Sequence, residues 1–476
     1  MVAMARLILS HSANGHMLAN RTFHTSLAFL SSRGLCKIGK RAILGIALLS
    51  STCLFSSSPL PMDCSGRLIA SRLFRKEPAT SILPFPLGPY HPALTQPVAL
   101  TLAMRDETII DVRAPDAPAD DSTPTTGYCR RGAAALCIDR TPADALAILE
   151  RSCSLAGEAH RLAGCLALEA VTQTEAPTQA RIARTLFVEI ERILARLWTL
   201  GQTARAAEEQ TPFHEAMEQR ELLFGALEAT TGARMFWGVA QPGGARTDLT
   251  LAPLREALDR FAPTIETWRV VTGSDGPLGR IGARLGQLGR SLANELGVQG
   301  LAACGAGVAT LHDLRKDAPY DGYQDVAIEG LESSIGQTAR TNDTTSPNKV
   351  SRANRASNGN GQRGDVAARM RCAADDIALS VRLVQACFEE LGEEPTWENA
   401  AVRLRPGSSE VTVEGPHGPA TVALALDARG VITDLRLTTP AAATLAATPA
   451  LLTERPLAEA AVILASLDLC LECVDL

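Results

Sequence analysis

Aromatic side chains are scarce. They make up 4% of the 476 residues, with 4 Trp and 4 Tyr. A core of this size must therefore be built from Ala, Leu, Val and Ile, and the dominance of Ala and Leu favours helices. A membrane-spanning run is also missing. The apolar stretch from Ala42 to Phe55 is shorter than the roughly 20 residues a bilayer requires. Excess positive charge is absent too: the net charge of −6 gives no global reason to expect nucleic-acid binding. The 12 cysteines are scattered rather than packed into a small scaffold, so a reduced compartment without disulfides is expected. Residues 1–62 hold no Asp or Glu but carry Arg6, Arg21, Arg33, Lys37, Lys40 and Arg41. Such a segment reads as a signal-like or transit-like stretch, as a membrane-touching arm, or as sequence upstream of a true start at Met62 or later. The apolar run begins too far in for an ordinary signal peptide, which favours the last. Residues 1–78 are expected to be a poorly ordered extension.

A change of texture at Ile82 opens one large domain, 79–476. The proline-rich stretch from Leu83 to Pro89 has no helix potential. Val98–Met104 and Thr108–Arg113 read as strands joined by a turn. Thr141 followed by Pro142 is a helix start. Pro177 opens a helix whose apolar positions Ile182, Leu186, Ile190, Ile193, Leu194 and Leu197 keep helical spacing over about four turns. Phe213–Ala233, Leu251–Val271, Asp365–Leu391 and Leu457–Leu464 extend the helical series. Ala401–Arg405, Glu410–Glu414, Thr421–Asp427 and Val431–Thr438 read as strands. Residues 332–364, rich in Ser, Asn, Thr and Gly, read as a flexible insertion. The fold class is α+β: a mainly helical bundle flanked by small antiparallel β elements. The charged face around Glu189–Arg192 is expected to be solvated.

The chemistry-bearing pattern is a pair of thiols, Cys470 and Cys473, spaced to share one face of a helix. A third thiol, Cys153, lies far upstream in the stretch from Arg151 to His160. Thiolates suit nickel, iron and zinc. If the two segments meet, three sulfurs share one pocket; the alternative is three buried, inert thiols. Three residues after Cys153, where a second pair would be completed, stands Ala156. Cys129, Cys137, Cys165, Cys304, Cys372 and Cys387 lack paired spacing and read as core or surface thiols.

Seven stretches occur in a family's order. Gly88–Ala93 (GPYHPA) looks like GPxHPA, and Gly127–Gly132 like GYxHRG. Arg151–His160 looks like a first CxxC segment with its Ala-His. Asp313–Tyr320 with Tyr323 looks like DLRxDxPYxxY, and Gly364–Arg369 like GDVxAR. Glu414–Gly418 looks like EAPRG, and Asp468–Cys473 like a terminal DPCxxC. On these stretches the chain resembles the large subunit of membrane-bound nickel–iron hydrogenases, including the hydrogenase-4 type, and the D-type (49 kDa) subunit of respiratory NADH:quinone oxidoreductase.

The resemblance implies an oxidoreductase subunit at the cytoplasmic face of the inner membrane. It would be attached through membrane subunits and a small iron–sulfur subunit that brings electrons. It implies a nickel–iron centre at Cys153, Ala156, Cys470 and Cys473, of which alanine supplies no ligand. The family's Arg beside the iron is His417 here, and Leu469 replaces the motif's Pro. In the quinone branch, His91 would point at the quinone headgroup and Ser154 would stand where that branch has a Tyr. His91 or the carboxylate Asp468 would move protons. His160 reads either as a hydrogen-bonded core residue at a close helix contact or as part of the cofactor pocket. Asp313, Arg315, Asp317 and Tyr320 read as proton-transfer groups or as an ion-pair network pinning their loop. A silent structural subunit that keeps the fold is the competing reading.

Overall fold

A computed structural model of the full chain describes residues 83–88, 100–113, 131–308, 313–326, 364–393 and 395–474. The N-terminal extension, His91 and nearly all of the expected insertion at 332–364 lie outside the described residues. The chain divides between Glu77 and Pro78, and every described residue lies on the second side.

Strands β1 (Leu83–Leu87), β2 (Leu100–Arg105) and β3 (Thr108–Arg113) form an antiparallel sheet in that order. Helix α1 (Pro142–Arg151) starts where Thr141 Oγ1 accepts the Asp144 amide at 3.2 Å. This satisfies one of the donors that open a helix. A turn leads into α2 (Gly157–Thr172). The two helices cross tightly. A Cβ at Gly164 would lie 2.7 Å from Leu146 Cδ2, and one at Gly157 would lie 2.3 Å from the Glu150 carbonyl oxygen.

The 29-residue α3 (Thr178–Ala206) is the axis of the bundle, packed by α4 (Gln210–Thr231) and α7 (Val366–Leu391). Its apolar stripe, including Ile182, Leu186, Ile190, Ile193 and Leu197, is fully buried, as the spacing predicts. Its charged side is buried as well, which corrects the expectation of a solvated Glu189–Arg192 face: Glu189 is 0% exposed and Arg192 1%. Buried charge survives because it is paired and hydrogen-bonded. Glu189 meets Arg192, Arg315, Tyr323 and Ser380. Arg315 also binds Asp313 and Asp376. The ion-pair reading of the Asp313–Tyr323 stretch is thus the one the contacts bear out.

The helix expected over Leu251–Val271 is two, α5 (Ala252–Phe261) and α6 (Ile265–Thr272), separated by a 3-10 turn at Ala262–Thr264. Pro263 removes an amide donor there. Short strands β4 (Ala240–Gln241) and β5 (Gly244–Ala245) pair beside α2 and α3.

Strands β6 (Gly407–Gly415), β7 (Gly418–Leu426) and β8 (Ile432–Thr438) make the second antiparallel sheet, while Ala401–Arg405 carries no strand. The β6–β7 hairpin closes over Pro416 and His417, with Gly415 opposite Gly418. Gly418 takes φ of 112°, open to a residue without Cβ. Helix α8 (Leu457–Ala465) ends the bundle, and a 3-10 turn, Leu471–Cys473, follows. Cys304 and Cys372 are joined as a disulfide, with Cα atoms 6.4 Å apart, against the expectation that disulfides are absent. Their lack of paired spacing hid a partnership that the fold creates between distant helices.

Candidate metal and proton site

Three segments converge beside the middle of α3: the α1–α2 turn with Cys153, the β6–β7 tip with His417, and the tail from Asp468 to Cys473. Arginines hold them there. Arg192 donates to the carbonyls of Glu414 (2.6 Å) and Gly415 (2.7 Å). Arg196 donates to the Pro416 carbonyl, to Asp376 at 2.8 Å and to Asp468 at 2.5 Å. Arg131, from the GYxHRG-like stretch, bridges the carbonyls of Ser152 and Glu472.

The sulfurs meet as the thiol pattern anticipates. Cys153 Sγ lies 3.4 Å from Cys470 Sγ, and both residues are 1% exposed. Cys473 joins the same buried cluster, together with Ala156, Ala441 and the flanking Leu155 and Val474. The tail is not the helix the spacing suggested. Asp468 takes φ of 55°, and Cys470 is extended ahead of the 3-10 turn. The thiols therefore reach the cluster from a turn. Among the described residues, ligand atoms of Cys153, Cys470 and His417 all lie within 4.8 Å of one another.

His417 is 7% exposed at its side chain, and its Nδ1 sits 3.0 Å from Asp468 Oδ2. Burial would lower its pKa, but the Asp468 carboxylate and the Cys470 sulfur outweigh burial and push it up to about 10. Burial acts to raise Asp468, yet His417 and Arg196 hold its carboxyl below the usual carboxylate range. Thr199 Oγ1 donates to the other carboxylate oxygen at 2.5 Å. Hydrogen bonds from Cys153 and Cys473 hold the Cys470 sulfur well below an ordinary thiol. Burial pushes Cys153 well above one.

His160 is buried, with Nδ1 3.0 Å from Ser152 Oγ and Nε2 3.9 Å from Cys473 Sγ. Burial lowers it to about 4. It orients Cys473 from the core, which fits the hydrogen-bonded reading. Ser154 turns to Glu472 instead, donating its amide (2.5 Å) and hydroxyl (2.9 Å) to the carboxylate.

A narrow cavity of about 20 Å3, room for roughly one water, opens beside Cys153 and is lined by Glu150, Glu158, Glu191, Arg220 and Trp237 among others. Burial pushes Glu158 up to about 7, and Glu150 adds to it. Burial pushes Glu191 up to about 8, although Glu191 accepts the Glu158 and Ala159 amides that open α2. Burial thus moves both carboxylates toward neutrality, and both line the cavity beside Cys153. Sequence reasoning misses both, and also Arg196 and Thr199. Glu158 lies within the Arg151–His160 stretch, but nothing local announces its burial.

A nickel–iron centre of the kind the resemblance implies does not fit these residues. The position of one sulfur ligand is the Ala156 methyl, and His417 bonds to a carboxylate instead of offering an arginine.

The family model described as respiratory-chain NADH dehydrogenase, 49 Kd subunit, matches residues 208–342. A carbon monoxide-induced hydrogenase of Rhodospirillum rubrum is 24% identical over 337 residues, 70% of this chain and 82% of that protein. The D-type subunit of an NADH-quinone oxidoreductase from Sinorhizobium medicae is 26% identical over 313 residues, 65% of this chain and 67% of that protein. In fold, the chain is similar to one from the membrane-bound sulfane sulfur reductase, an archaeal respiratory membrane complex. The TM-score is 0.69 at 20% identity, covering 83% of this chain and 98% of the other. The chain is thus similar in sequence both to D-type, 49 kDa subunits of respiratory NADH dehydrogenases and to a carbon monoxide-induced hydrogenase, and similar in fold to a subunit of a respiratory membrane complex.

Proposed function

We propose that this chain is the large, hydrogenase-type subunit of a membrane-attached oxidoreductase complex, one that keeps the architecture and partner surfaces but builds no nickel–iron centre. The observation that carries the reading is the composition of the cluster: three sulfurs gathered around Ala156, with His417 claimed by Asp468. Hydrogen chemistry at a binuclear centre needs the fourth thiolate, and alanine has no lone pair to give. In this reading the chain is attached through partner subunits; among the described residues no helix is long and apolar enough to cross a membrane. A small iron–sulfur subunit and membrane subunits are the partner chemistry this role requires. A quinone role finds less support, since Ser154 is occupied by Glu472.

The test is isolation of the tagged full chain from its native membranes in mild detergent. An iron–sulfur protein and integral membrane proteins should co-purify in fixed ratio, and infrared spectra should lack the diatomic-ligand bands of a nickel–iron centre. A chain that elutes alone, or one that carries nickel and iron one to one with such bands, overturns the reading.

A further inference from the structure

Deletion of one thiolate does not leave the cluster chemically idle. Cys153 Sγ, Cys470 Sγ and a ring nitrogen of His417 lie within 4.8 Å of one another on three separate segments. An ion with metal–sulfur bonds of about 2.3 Å and a metal–nitrogen bond of about 2.0–2.1 Å holds tetrahedral ligands about 3.5–3.8 Å apart. The Cys153–Cys470 separation of 3.4 Å is already close to that. The remaining adjustment falls to His417, by about 1 Å at most.

The surroundings are those of a ligand set. His417 Nδ1 is committed to Asp468, and its buried Nε2 has no hydrogen-bond partner. A carboxylate on one imidazole nitrogen, with the other left bare, is the arrangement that orients a metal-binding histidine. Asp468 is itself fixed by Arg196 and Thr199, so the imidazole cannot swing freely. The Leu155 amide donates to Cys153 Sγ at 3.4 Å, a contact that the sulfur would keep as a metal-bound thiolate. Hard cations are excluded, because they need several oxygen ligands and the one carboxylate at hand is taken. A borderline divalent ion would displace the protons of Cys153 and His417 on binding, and the resulting two thiolates and neutral imidazole would cancel its charge in the buried pocket.

We propose that Cys153, Cys470 and His417 bind a single zinc-type divalent cation, with one coordination position left open and Cys473 beside it. This shares with the preceding reading only the absence of a binuclear centre; it does not require a membrane complex.

The experiment uses the full chain, purified anaerobically with reductant, stripped of metal, and titrated with Zn2+ alone and with Co2+ alone. One ion per chain is expected. The cobalt form should show sulfur-to-cobalt charge transfer and the visible absorption of a tetrahedral site. Cys470→Ser should abolish stoichiometric binding. His417→Gln should weaken it by about 10–100-fold or more while circular dichroism stays unchanged. Cys165→Ser, a buried thiol in a different cluster, should bind as the parent does. Absence of a stoichiometric ion, or affinity undiminished in folded His417→Gln, overturns the single-ion site. Two ions per chain would overturn this inference too, and neither outcome bears on the membrane-complex reading, which its own co-purification and infrared test decides.

Discussion

At the residue scale, the site depends on groups whose burial the sequence conceals. Arg196 is 3% exposed and serves two carboxylates and a carbonyl at once. Truncating it leaves the buried carboxylates Asp376 and Asp468 one cation short, with Arg315 and His417 as their remaining charged partners. Arg196→Ala is therefore expected to cost about 3–5 kcal/mol in urea unfolding; a loss below 1 kcal/mol would show that water or another cation takes its place. Glu191 gives a pH signature. Its folded pKa, pushed by burial to about 8, lies above the roughly 4.3 of an unfolded Glu. The folded chain then holds a proton that the unfolded chain has released. Its contribution is fully present below about pH 4.3 and is lost as pH rises through about 8. Glu191→Gln, uncharged throughout, should gain on the parent as pH climbs from 5 to 8, by on the order of 1 kcal/mol per pH unit at most. Parallel stability profiles for the two proteins would refute the assignment. The cysteines were legible because thiol spacing is a sparse signal. Glu158, Glu191 and the pairing of Cys304 with Cys372 were not, since burial and partnership at long range leave no local mark.

At the element scale, the periodic parts read well. The buried stripe of α3, the Thr141 cap and the hairpin strands follow from patterns of 3.6 and 2 residues, which the chain repeats often enough to be seen. Where reading failed, a single residue overrode the period. Pro263 split one expected helix, and the tail's thiols arrive on a 3-10 turn although their spacing fits a helix. The charged side of α3 misled because a row of Arg and Glu looks the same from sequence whether it meets water or a partner. The α1–α2 turn is held by a close approach at Gly157, where a Cβ would strike the Glu150 carbonyl at 2.3 Å. Backbone cannot yield as a side-chain tip can. Gly157→Ala should cost about 1–3 kcal/mol in denaturant unfolding, and by displacing the Cys153 turn it should also lower Zn2+ affinity. A variant with full stability and unaltered affinity would mean the turn is more pliant than its packing implies.

At the scale of the whole molecule, the family likeness and the local chemistry have parted. The fold is similar to that of a respiratory membrane-complex subunit, while the pocket holds the Ala156 methyl and a histidine bound to a carboxylate where the resemblance implies a thiolate and an arginine. Geometry at the hairpin tip should matter more than its composition. Pro416→Ala keeps the carbonyl that Arg196 uses and should alter stability by less than about 1 kcal/mol. One glycine inserted between Pro416 and His417 should part the imidazole from Asp468 and strip the Zn2+ site, read by chelator competition. Equal effects from the two changes would contradict this.

The arginines of α3 hold the neighbouring loops by their main chain. Arg184 holds the Gln241 and Gly244 carbonyls (each 2.6 Å), and Arg192 and Arg196 hold those of Glu414, Gly415 and Pro416. A main-chain oxygen is supplied by every amino acid, so these grips are indifferent to spelling and strict about spacing. A pocket gripped this way should keep its frame when the side chains of its loops are changed and lose it when the length of those loops is changed.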